Sequence, residues 1–148
     1  MSIVDFLFTK TIEDEMFGKL TSNRLSGQYW QGKIKFVPAK SEIYIYIWDL
    51  EDNVSREHKQ FYKELELRYL EITKDIAHLL NDPPESMGDS PHKEFNEFNL
   101  VSLSFPSVKS LNTSSFDWDM CFSLGSEKVD LSIGMENWKL NKDECCFE

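Results

Sequence analysis

The run from Ser55 to Asp82, SREHKQFYKELELRYLEITKDIAHLLND, holds no Gly and no Pro, and it limits what this chain can become more than any other stretch. At 100° per residue, His58, Phe61, Tyr62, Leu65, Tyr69, Ile72, Ile76, Leu79 and Leu80 fall in one sector about a quarter-turn wide. Gln60, Lys63, Glu64, Arg68, Glu71, Lys74 and Asp75 lie outside it or on its rim, which reads as an ordinary solvated face of balanced charge. The spacing predicts a helix roughly 40 Å long, with Ser55 as N-cap, Glu57 in the first turn and a stop before Pro83-Pro84. Its apolar stripe needs a broad surface to lie on, and the rest of the chain must supply that surface.

Residues 2–9 are apolar and β-prone, suited to a first strand or a packing arm. Gln28 to Val37 alternates cleanly, with Trp30, Ile34 and Phe36 to one side and Gln31, Lys33 and Lys35 to the other. Ser41 to Asp49 is the strongest strand signal: Ile43, Ile45 and Ile47 face one way, Tyr44, Tyr46 and Trp48 the other. Residues 82–97 hold three of the five prolines and form a loop long enough to be mobile or functional. Leu100 to Phe105 returns to strand.

The last sheet element can be registered directly. Pairing Leu124 with Val129 across Gly125–Lys128 puts Phe116, Trp118, Met120, Phe122, Leu131, Ile133 and Met135 on one face, whereas a one-residue slip buries Asp130. After Met135 the phase breaks, and a bulge near Glu136-Asn137 is expected. The fold class expected is α+β: a twisted antiparallel sheet of about five or six strands, the long helix on one face, and a single domain over residues 1–148.

A chain of 148 residues with 41% hydrophobic and 14% aromatic content can bury a substantial core. A net charge of −10 argues against nucleic acid or an anionic membrane as direct partner and favours a basic one. Three cysteines, two of them adjacent, do not make a disulfide framework, and no basic leader or long apolar run is present; a cytoplasmic protein is expected.

The hairpin register sets Asp117 opposite Glu136 on the polar face, with Asp119 and Asp130 on the same side. Like charges placed opposite one another weaken a sheet, so a cationic partner or splayed strands would account for them, an ordinary solvated face being the plainer reading. Glu85 and Asp89 in the Pro-rich loop are a second acidic candidate surface. Tyr44, Tyr46 and Trp48, with Tyr29, form either a second core layer or an exposed interface. His58, His78 and His92 do not assemble, Cys145-Cys146 lacks metal-ligand spacing, and no phosphate loop or nucleophile elbow is present. No catalytic residue, metal or cofactor is therefore expected.

Met16-Phe17-Gly18, then Trp30-Gln31-Gly32-Lys33-Ile34-Lys35-Phe36, then a strand and a long amphipathic helix, resembles small acidic bacterial immunity proteins of polymorphic toxin and contact-dependent growth inhibition systems. The likeness covers about the first half of the chain. It implies a non-catalytic cytoplasmic inhibitor, monomeric or weakly dimeric, that occludes the active or substrate-binding surface of one cognate, basic, often nuclease toxin domain. Carboxylates would stand in for phosphate oxygens there. The alternative is an intracellular protein-binding or scaffold module with another partner.

Overall fold

The computed structural model describes residues 9–23, 29–48, 52–125 and 127–148. Nine strands form one sheet: β1 (Thr9–Asp14), β2 (Gly18–Asn23), β3 (Tyr29–Phe36), β4 (Ser41–Trp48), β5 (Phe98–Phe105), β6 (Asp117–Leu124), β7 (Val129–Glu136), β8 (Lys139–Leu140) and β9 (Cys146–Phe147). They lie in chain order from β1 to β8, and β9 joins β7. The long helix α1 (Arg56–Asn81) connects β4 to β5, and one short turn, α2 (Val108–Leu111), precedes β6.

This corrects the expected α+β fold of five or six antiparallel strands. The protein is mostly sheet, with nine strands among the described residues, and β4 and β5 pair parallel. The parallel pair follows from α1, since a crossover helix returns the chain to the same end of the sheet. Four strands lie outside the expected set: β1 reads as an acidic run, TKTIED, β2, GKLTSN, has a single apolar residue, and β8 and β9 are two residues long. Backbone pairing makes those strands, and side-chain alternation does not mark them. The expected strand over residues 2–9 falls outside the described residues except for Thr9.

The helix matches its reading. Ser55 Oγ accepts from the His58 amide at 3.1 Å, and every residue of the predicted stripe is buried except half-buried Leu80. That stripe covers Trp30, Phe36, Ile43, Ile45, Ile47, Leu103, Phe105, Trp118, Met120, Phe122, Leu131 and Ile133, all of them buried.

The β1–β2 turn docks on the first turns of α1. The Asp14 carboxylate accepts from the Met16 and Phe17 amides and pairs with Lys59 at 3.2 Å, and Gly18 takes φ +71°. Phe17 thereby enters the core edge-on to Tyr62 and Phe105. Gly32 leaves room for Leu20, since a Cβ there would collide with the Leu20 side chain and stand 3.1 Å from the Lys19 carbonyl. Packing alone accounts for the Phe-Gly and Trp-x-Gly motifs.

The β6–β7 register is as read, Asp117 opposite Glu136 and Leu124 opposite Val129, with no splaying of the ladder. The expected bulge is instead a tight turn: Asn137 adopts φ +54°, and Lys139 of β8 pairs back onto Glu136. That turn swings Trp138 onto Phe61, ring on ring at 5.1 Å. The Pro-rich loop is anchored by fully buried Met87 and by Phe95 against Phe122.

Candidate functional site

Strand alternation leaves a second face of the sheet, away from α1, and the registers assemble it row by row. One row runs Thr21, Gln31, Tyr46, Ser104, Asp119, Gly134. The next runs Tyr44, Ser102, Cys121, Ser132, Cys146. Aromatic residues occupy the β3–β4 side of this face and acidic ones the β6–β7 side.

Where the two meet lies a cleft of about 790 Å³, lined by Trp48, Ser104, Asp117, Asp119, Gly134 and Glu144 among others. The Trp48 indole Nε1 donates to Ser104 Oγ at 2.8 Å, which fixes the ring at the cleft edge. Tyr29 supports it, with its ring 5.0 Å from that of Trp48 and 5.7 Å from that of Tyr46. The far wall exists because position 134 is glycine. Glu144, from the turn before β9, sits directly over it, with its carbonyl 2.8 Å from where a Cβ would stand.

Tyr44 and Trp48 are 41% and 42% exposed, so this face is not a second core layer, although Tyr46 is half-buried. Asp119 keeps solvent access, yet the surrounding walls desolvate its carboxyl and hold its pKa above the ordinary aspartate value. Burial likewise raises the Tyr46 hydroxyl. It pushes the Cys121 thiol up to about 11, with the carboxylates of Asp130, Glu148 and Asp119 adding to the effect. Among the described residues no ion pair reaches Asp117, Asp119, Asp130, Glu136 or Glu144, although Lys139 stands opposite Glu136 in the ladder. Lys33 is occupied at the other end of the face, by Glu42 at 2.9 Å and the Tyr44 ring.

The fold thus brings Trp48, Asp117 and Asp119 together, with Glu136 at the rim, where Ser115 Oγ donates to it at 3.4 Å. Tyr44 and Tyr46 share the face beside the cleft. Asp130 lies at the far end of β7, its backbone paired with Glu148. Glu85 and Asp89 are exposed in the loop whose Gly88 sits near the Phe147 carbonyl, so they do not join the cleft. Ser104, Asn141 and Glu144 were not picked out by sequence. Alternation places Gly134 only on the polar side of β7, although a glycine inside a strand is the kind of residue that marks a close backbone approach.

The histidines behave differently from one another. His58 is a buried strut, its Nε2 donating to the Pro106 carbonyl at 2.7 Å and its Nδ1 2.9 Å from Ser55 Oγ. His78 and His92, expected apart, line one further cleft with Lys74 and Lys93. Among the described residues no three potential ligands cluster as a metal site, and no helix is long and apolar enough to cross a membrane. In comparisons with known proteins, no family model matches the chain, and no curated protein or solved structure is significantly similar to it.

Proposed function

We propose that this chain is a protein-binding inhibitor of the immunity type, which holds a basic toxin domain against the open face of its sheet. One observation carries the reading: exposed Trp48 borders a cleft whose Asp117, Asp119 and Glu144 meet no cation within the described chain, and exposed Tyr44 shares the same sheet face. Fixed aromatic rings supply contact area at little entropic cost, and unpaired carboxylates attract cationic side chains and speed encounter. An arginine entering the cleft can stack on the Trp48 indole while its guanidinium fork meets Asp119 or Asp117. Lysine and arginine residues that a nuclease uses to hold phosphates suit such a surface, and covering them would silence the enzyme without any chemistry by the inhibitor.

The test is to ask whether the gene adjacent to this one encodes a basic toxin domain and, with that domain, to coexpress this chain and titrate the purified pair. Protection is expected with the native chain and is expected to be lost with Asp117→Lys/Asp119→Lys. Full protection by that variant would remove this face from consideration, and no protection by the native chain would remove the inhibitor reading itself.

A further inference from the structure

The exposed side of α1 is not the evenly charged surface its composition implies. On a helical projection, the sector opposite the buried stripe contains Arg56, Gln60, Lys63, Leu67, Leu70, Lys74 and His78, every one exposed. The helix's acidic residues, Glu57, Glu64, Glu66, Glu71 and Asp75, fall to either side of this crest, and one of them, Glu71, meets Lys74 in an exposed ion pair at 3.3 Å that a docked partner would have to exchange. Leu67 and Leu70 are 80% and 66% exposed, the two most exposed leucines among the described residues of a chain whose formal charge is −10. The crest is therefore a basic ridge with an apolar centre. The open face, on the other side of the sheet, is an acidic cleft with an apolar aromatic edge. The two surfaces are complementary in both charge and apolar content, and they point in opposite directions on one molecule.

We infer that the α1 crest docks into the open sheet face of a second copy of this chain, head to tail. Lys63 and Lys74 meet Asp117, Asp119 and Glu144, while Leu67 and Leu70 cover the exposed ring of Trp48. Because the two patches differ, the contact is heterologous and leaves a free crest and a free face at the ends of each chain of copies. The inference concerns the same face as the proposed toxin contact, but it needs only the chain itself. It makes self-association and partner binding mutually exclusive.

The salt dependence has a particular form. Contacting side chains lie within a few Å of one another, whereas the net charges of two copies are centred tens of Å apart. Near 0.1 M salt the Debye length is about 10 Å, so overall repulsion is screened while the contact attraction persists; at 0.01 M it is about 30 Å and the repulsion returns. Near 1 M the contact attraction is screened as well.

Sedimentation velocity on the full chain tests this. The weight-average mass should rise with concentration near 0.1 M salt and fall back to the monomer value at both 0.01 M and 1 M. Lys63→Glu/Lys74→Glu and Asp117→Lys/Asp119→Lys should each be monomeric alone with native circular dichroism, and mixing the two should restore association. A native chain that stays monomeric at several hundred micromolar, or association that survives both variants, overturns the inference. The crest variant, which leaves the open face intact, should still bind and neutralise the toxin domain, so the two readings fail separately.

Discussion

Trp48 Nε1 donates to Ser104 Oγ at 2.8 Å across the parallel β4–β5 pair, where Ser104 aligns with Tyr46 rather than with Trp48 itself. The bond ties the exposed aromatic edge of the cleft to its serine wall. It is a diagonal contact, reaching two residues past the direct partner of Ser104.

Ser104→Ala should free the indole. A single exposed hydrogen bond contributes about 0.5–1.5 kcal/mol, so the fold should survive with at most a small loss of stability. The expected change is greater iodide quenching of the accessible tryptophan fluorescence. Trp30 and Trp118 are buried, and half-buried Trp138 is stacked on Phe61, so the change would report mainly on Trp48. Quenching identical to that of the native chain would show that the bond does not hold the ring.

His58→Ala should be costly. It strands the buried Pro106 carbonyl and opens space beside Phe105, while Ser55 keeps its bond to the residue-58 amide. Leaving buried groups unsatisfied costs about 1–3 kcal/mol, a fall in Tm of roughly 2–4 °C per kcal/mol for a chain of this size. Urea denaturation with an unchanged midpoint would contradict the strut role.

Gly134→Ala should displace the segment carrying Glu144, since the new methyl meets the Glu144 backbone and side chain. Overpacking of this kind typically costs about 1–3 kcal/mol. Gly125→Ala, with nothing within 4 Å of its Cβ position, is the matched control and should change little. Cys145, only 1% exposed and 3.2 Å from the Asn141 carbonyl, should become reactive towards an aromatic disulfide reagent in the Gly134 variant alone.

Asp119 should leave a pH signature. Desolvation raises its pKa in the folded state, so between the ordinary aspartate value near 4 and the raised one the folded chain holds more protons than the unfolded chain. Stability contributed by this group is therefore highest below that window and declines as pH rises through it. Asp119→Asn should abolish that portion of the slope in denaturation curves collected at successive pH values. A docked cation draws the value back down, so affinity for a basic partner should increase with pH over the same window.

Cys121, with its thiol pushed up to about 11, should alkylate slowly despite being only half-buried. At pH 8 its thiolate fraction is on the order of 100-fold below that of an ordinary thiol. In a Cys145→Ser/Cys146→Ser background, iodoacetamide labelling followed by mass spectrometry should show a rate below that of an ordinary thiol, the smaller thiolate fraction being only partly offset by the greater nucleophilicity of a more basic thiolate.

The α1 stripe, its Ser55 cap and the Asp117–Glu136 register were legible because each rests on a short-range period that a single segment carries. Asp117 and Asp119 could likewise be placed on one face from the hairpin alone. Trp48 could be assigned to a face but not to a neighbour, because its cleft partners come from β5, β6 and the turn before β9.

What the amino-acid sequence determined by itself is local: the helix and its buried face, the alternation of β3, β4, β6 and β7, and the excess of negative charge. Tertiary structure decided the rest. Helical crossover made β4 and β5 parallel, backbone pairing recruited β1, β8 and β9 without side-chain signals, and a missing Cβ at Gly134 drew Glu144 over the sheet. The physical reason is range. Periodicity and capping act within a few residues, whereas the cleft joins Trp48 to segments that begin more than fifty residues further along the chain, and its members carry no mark in sequence of whom they will meet.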